Sequence, residues 1–256
     1  MVGTLFKAVR LVNEGSVFES DLRIEGDRIV QIASYIAAQP GDRIVEANGC
    51  YLLPGMIDDQ VHFREPGLVH KGSIATESRV AVAGGITSYM EMPNVSPATT
   101  SIESLEHKFE LAASRSLANY SFYLGATEDN IEQIKQLDPA RHCGLKVFMG
   151  ASTGDLLVED PGALDLIFQH APTLIATHCE SGPVMLQNEK EILRAKDVLT
   201  IEDHPRVRDV EACFAASEYA VGLAKKHGSQ LHVLHITTAK ELDLFSPGPI
   251  DDKNIC

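Results

Sequence analysis

The chain has 256 residues, 44% of them hydrophobic, enough to bury a large core and to suggest one large domain plus a small one. Its formal charge is −14, with lysine and arginine clustered nowhere, which argues against nucleic acid or an anionic membrane as partner and leaves a small-molecule substrate. Five cysteines (Cys50, Cys143, Cys179, Cys213 and Cys256) are an odd count without C-x-x-C spacing, so a reducing, cytoplasmic compartment is expected rather than a disulfide framework.

The first residues interrupt their apolar positions with Lys7, Arg10 and Glu14, so no secretory leader is expected there. No run in the chain approaches the ~18 apolar residues of a membrane span. From Thr4 to about Ala47 short strands alternate with turn signals: Leu5 to Val12, Asn13-Glu14-Gly15, Val17 to Ile24, Glu25-Gly26-Asp27, Arg28 to Ile32, then Arg43 to Glu46 after Gln39-Pro40-Gly41-Asp42. Hairpins of this kind predict a small β-sandwich module over residues 1–51.

From residue 52 onward strands alternate with helical stretches, the pattern of parallel α/β structure. The strands are expected at Met56 to Phe63, Ile86 to Met92, Tyr120 to Gly125, Gly144 to Met149, Thr173 to His178 and Gln230 to Ile236. The helices are expected at about Ile74 to Ala83, Ser101 to Leu117, Glu128 to Leu137, Gly162 to Gln169, Pro183 to Lys196, Arg208 to His227 and Ala239 to Phe245. Six βα units fall two short of a closed (β/α)8 TIM-type barrel. Residues 52–256 therefore read as an incomplete barrel, and the chain as part of a longer protein.

The stretch richest in chemistry is Tyr51-Leu-Leu-Pro-Gly-Met-Ile-Asp-Asp-Gln-Val-His-Phe-Arg-Glu-Pro-Gly67. Strand alternation puts Asp58, Gln60, His62 and Arg64 on one side of it. In a parallel barrel the working groups lie at the C-terminal strand ends. Here those ends supply Glu91-Met-Pro-Asn94, then Lys146 within Gly144-Leu-Lys-Val-Phe-Met-Gly-Ala-Ser-Thr-Gly154, then Thr177-His178-Cys179-Glu180, and His235 before Thr237-Thr238. A single strand histidine reads as an ordinary core residue, whereas His62, His178 and His235 at separate strand ends read together as a zinc-binding set. His232 and His235 differ in facing, so at most one enters the mouth. A lysine buried in an apolar strand tends to lose its proton unless it reaches solvent or an acid, and a neutral amine can take up carbon dioxide as a carbamate that bridges metals. Arg64 and Asn94 together suit a substrate carboxylate. Cys143, Cys179 and Cys213 read as small core residues, and Arg208 with Glu211 as an ion pair on one helix face.

Val61-His-Phe-Arg-Glu-Pro-Gly67 is similar to the first barrel strand of the dihydroorotases, in the amidohydrolase superfamily. Met92 to Asn94, Gly144 to Gly154, His178 to Glu180 and His235-Ile-Thr-Thr238 extend the resemblance. It implies a cyclic-amide hydrolase that interconverts N-carbamoyl-L-aspartate and L-dihydroorotate in pyrimidine synthesis with one or two zinc ions. It further implies that His178 and His235 hold one metal with a carboxylated Lys146, that His62 and the same carbamate hold the other, and that Arg64 and Asn94 bind the substrate carboxylate. It selects His235 over His232. Asp155 is the alternative to the modified lysine, and the general-base Asp of the family is expected beyond Cys256. The family usually has His-x-His where this chain has Gln60-Val61-His62, so Gln60 is at best a weaker ligand. An allantoinase, a hydantoinase, or a non-catalytic scaffold for a pathway enzyme are the alternative functions, and a homo-oligomer is expected.

Overall fold

The computed structural model describes residues 2–150 and 156–256. Two units follow one another along the chain, Met1–Met56 and Ile57–Cys256.

The first unit holds strands β1 (Gly3–Asn13), β2 (Ser16–Glu25), β3 (Arg28–Ala33), β4 (Arg43–Glu46) and β5 (Tyr51–Leu52). Two antiparallel hairpins order β3-β2-β1, and β4 and β5 run parallel to β1. The first hairpin turns at Glu14-Gly15, both at positive φ, the backbone that two-residue hairpin loops require. Leu5, Val9, Leu11 and Leu22 are buried together with Arg23. The guanidinium of Arg23 is neutralised by Asp42 and Glu25 and accepted by Gln39. The described residues form one five-stranded sheet rather than the expected sandwich. A second layer would need strands beyond these five.

The second unit carries a six-stranded sheet in the order β11-β10-β9-β8-β7-β6, which is chain order reversed. Its strands are β6 (Met56–Val61), β7 (Ile86–Glu91), β8 (Asn119–Gly125), β9 (Gly144–Met149), β10 (Ile175–Cys179) and β11 (Leu231–Val233). The paired registers from β7 to β11 are parallel. His232 of β11 reaches Asp59 of β6 at 3.3 Å, so the two ends of the row approach one another and the sheet curls. Asn254 and Cys256 add main-chain hydrogen bonds along the free edge of β11. The end of the chain is thus paired with the sheet.

Helices α1 (Ile74–Ala83), α2 (Ile102–Arg115), α3 (Ile131–Ile134), α4 (Pro161–His170), α5 (Gly182–Leu193), α6 (His204–Val207) and α7 (Val210–His227) connect the strands. Ser73 and Ser101 close reciprocal caps with Thr76 and Ser104, and Asp209 caps α7, which ends at left-handed Gly228. These side chains satisfy the free amides of a first turn or permit the exit turn. None of the helices is long and apolar enough to cross a membrane among the described residues.

Three elements differ from expectation. The helix read from Glu128 to Leu137 shrinks to four residues, because the Asn130 side chain binds the Thr100 and Gly125 carbonyls and fixes a loop instead. Ala239–Leu244 is a 3-10 helix. β11 ends at Val233, so His235 lies in the loop beyond it.

Strand parity sorts the core. Leu145, Val147 and Met149 of β9 join Phe122, Leu124, Ile175 and Ala220 in the layer between sheet and helices. The alternate positions face the inside of the curl, where Tyr123, Ala176, Met92 and Leu234 pack.

Between α5 and α7, Asp203 accepts from the Thr200 amide and hydroxyl at 2.8 and 2.9 Å and pairs with Lys196. The Lys196 ammonium leads in holding this carboxyl down at about 2, against about 3.9 for a free aspartate. A depressed folded value means that the contribution to stability is complete above about pH 4 and disappears as pH falls toward 2. Asp203→Asn is therefore expected to lower the melting temperature at pH 7 and to leave it unchanged near pH 2. An equal loss at both values would rule the charge out as the cause.

Candidate metal and carboxylate site at the strand ends

Every residue of β9 is buried, including Lys146 at its centre. Parity turns the lysine to the inside of the curl, 4.5 Å from the Phe148 ring centroid. Its Nζ has no hydrogen-bond partner among the described residues, and burial lowers the ammonium to about 7. The amine is therefore substantially neutral at physiological pH. It neither reaches solvent nor meets an acid among those residues, the two alternatives open from sequence.

Around it stand the three histidines. His178, at the end of β10, has its ring centroid 5.4 Å from that of His235. His235 sits at φ 56 in the loop after β11. Burial lowers the pKa of His235, with the charges of Lys146 and His178 adding to the effect. His62 lies just past β6 and is lowered to about 4, first by burial and then by the Arg64 charge, with smaller contributions from Lys146 and His235. Neutral imidazoles with open lone pairs are the form that binds metal.

The carboxylate-binding candidates flank His62. Asn94 Oδ1 lies 2.7 Å from His62 Nδ1, and the Arg64 guanidinium donates to the Asn94 carbonyl at 3.3 Å. Gln60 Nε2 is 3.3 Å from His62 Nε2. Arg64 has φ 70, so the alternation expected to run from Asp58 to Arg64 stops at the end of β6. His232 stands apart, at Asp59 and 3.1 Å from the Cys256 sulfur. Asp155 lies outside the described residues.

Arg208 does not pair with Glu211. It grips both oxygens of Glu180, whose Oε2 is also 2.7 Å from His178 Nε2, while Glu211 is taken by Lys240 at 2.7 Å. Although burial opposes it, the His178 and Arg208 hydrogen bonds hold the Glu180 carboxyl down at about 2.

A second internal pair was not anticipated. Lys108 of α2 and Glu91 of β7 are both fully buried, Nζ to Oε2 2.8 Å. The contact is poorly directed as a hydrogen bond, so charge attraction holds it, and burial pushes the acid up and the amine down. The available signal was the placement of Lys108 three residues after Leu105 and four before Ala112, on the apolar face of α2.

Among the described residues no three His, Cys, Asp or Glu side chains form a metal-holding group. The three imidazoles therefore do not by themselves make such a group, and a metal here would need an anionic oxygen donor on the partnerless Lys146 amine as well.

Arg208→Met leaves Glu180 without its bidentate partner. The expected cost is about 2 kcal/mol, the range for a hydrogen bond to a charged group, measured by urea unfolding. An unchanged midpoint would show that solvent replaces the arginine freely.

No family model matches the chain. It is 31% identical over 95% of its length to an allantoinase of Deinococcus radiodurans, of which it spans 55%. It is 29% identical over 93% of its length to a dihydroorotase of Methanosarcina mazei, of which it spans 52%. Its fold matches the L-hydantoinase (dihydropyrimidinase) from Arthrobacter aurescens with a TM-score of 0.89 at 26% identity, covering 95% of this chain and 55% of that one. The chain thus spans about half the length of the relatives it matches, and the curled parallel sheet is shared with the hydantoinases. The chain is a homologue of the cyclic amidohydrolases of the amidohydrolase superfamily.

Proposed function

We propose that the protein hydrolyses and forms cyclic amides, and that its substrate pair is L-dihydroorotate and N-carbamoyl-L-aspartate. The observation that carries the reading is the buried, partnerless Lys146 amine at a rim shared with His62, His178 and His235. The amine adds to carbon dioxide and releases a proton, giving a carbamate anion in place of a neutral base. His178, His235 and that carbamate would hold one zinc ion, and His62 with the same carbamate a second. Zinc bound there supplies Lewis acidity toward the amide carbonyl and a hydroxide at neutral pH.

The protein's own groups choose the substrate. Dihydroorotate carries a ring carboxylate, which allantoin and hydantoin lack. The Arg64 fork and the free end of the Asn94 amide are the donors for such a group beside His62. Relatives named for all three substrates match the chain with similar identity, so the ring carboxylate is the feature that separates the readings. Arg64→Ala is expected to abolish measurable cyclisation of carbamoyl-aspartate while sparing any turnover of carboxylate-free dihydrouracil. Equal loss on both, or undiminished cyclisation, would favour a hydantoinase or allantoinase.

Gln60 offers a neutral amide where a second imidazole would bind zinc more strongly. Elemental analysis of the full-length protein is expected to find fewer than two tightly held zinc ions per chain. Two would contradict this reading of Gln60.

A further inference from the structure

Glu91 and Lys108 are fully buried, yet they connect to both residues assigned to the substrate carboxylate. By parity Glu91 faces the helices, where Lys108 meets it. Its other oxygen, Oε1, accepts the main-chain N–H of Arg64 at 3.0 Å. That amide belongs to a residue at φ 70, a conformation in which a side chain with a Cβ is strained and which surrounding contacts must hold. The Lys108 ammonium also donates to the Met92 carbonyl at 3.1 Å, two residues before Asn94, and lies 4.8 Å from the centroid of the Phe122 ring. One buried ammonium is therefore linked to Arg64 through Glu91, and to Asn94 through the main chain of Met92 and Pro93.

We propose that the Glu91–Lys108 pair is the positioning unit of the carboxylate clamp, fixing the left-handed backbone of Arg64 and the approach of Asn94 so that both donors face the same anion. This rests on the reading of Arg64 and Asn94 as carboxylate ligands. A pair present only for stability would be an inefficient choice, since a buried ion pair is commonly no more stabilising than apolar residues of the same volume. Its geometry relative to Arg64 gives it a further role, and makes Glu91 and Lys108 specificity-determining without contact to substrate.

The test uses the full-length protein and the double variant Glu91→Gln with Lys108→Met, which keeps volume and leaves no charge unpaired. Calorimetry with N-carbamoyl-L-aspartate is expected to show affinity reduced about tenfold or more, the scale of a lost charged hydrogen bond, with dihydrouracil turnover unchanged. Adding Arg64→Ala should then cost little more, because the two changes disable the same clamp. Weakening of both ligands alike would assign the pair a purely structural role and overturn the proposal. If Arg64→Ala alone weakens carbamoyl-aspartate binding and the double variant does not, the positioning role fails while the carboxylate reading stands. If Arg64→Ala has no effect, the carboxylate reading itself fails. Should the double variant not fold, hydrogen exchange of the unaltered protein decides: the Arg64 amide is expected to exchange as slowly as those of β7, and exchange at the rate of an open loop would overturn the proposal.

Discussion

Desolvation of charge is the constraint on which the site depends. A parallel sheet covered by helices has a dry face on each side, and an ammonium placed on either side must find an anion or give up its proton. Lys108 and Lys146 show the two outcomes. Lys108 lies between sheet and helices, meets Glu91 and supports a strand end. Lys146 points the other way, meets no acid among the described residues, and is lowered to about 7. Had β9 slipped by one residue, Lys146 would enter the helix layer and an apolar side chain would take its place at the rim.

The strand ends carry a second cost. Arg64 and His235 are both non-glycine residues in the left-handed region, which disfavours each by about 1–2 kcal/mol. A buried glutamate holds the first of them, and another holds the chain three residues past the second. Glu91 takes the Arg64 amide directly. Glu241, 3% exposed, binds the Ser217 hydroxyl at 2.6 Å and the Thr238 hydroxyl at 2.8 Å, and so ties the loop after His235 to α7. Arg64 is thus braced at its own amide, and the chain after His235 is tied down at Thr238.

Local signals made much of this legible. The alternation of strands with helical stretches placed α1 and α2, and an apolar run placed β9 with its lysine inside. The histidines at strand ends followed from the general geometry of parallel barrels. What sequence concealed depends on partners distant in the chain. Arg208 was assigned to Glu211, its neighbour by helical spacing, yet it turns to Glu180, 28 residues away, because a buried carboxylate already bound to His178 is the stronger attraction. Lys108 gives no local sign of its partner beyond its place with Leu105 and Ala112 on the buried face of α2. α3 failed because Asn130 uses its side chain on carbonyls of other segments, a competition that helical periodicity does not register. The sandwich was inferred from hairpins that form a single sheet, since strand patterning specifies pairing within a layer and says little about what covers it.

The two ends of the histidine set are not equivalent, and the difference lies behind the rings. His178 is backed at Nε2 by a carboxylate that Arg208 keeps ionised, which orients the imidazole and strengthens its remaining nitrogen as a donor. His62 has amides at both ring nitrogens, Asn94 at Nδ1 and Gln60 near Nε2. An amide orients a ring without lending it negative charge, and the neighbouring Arg64 opposes any positive charge there. A cation at the rim is therefore drawn toward His178 and His235, while the His62 side, flanked by a guanidinium and two amides, is electrostatically suited to an anion. On the proposed reading, such a gradient would set a carboxylated ring in a fixed orientation with its amide toward the metal side.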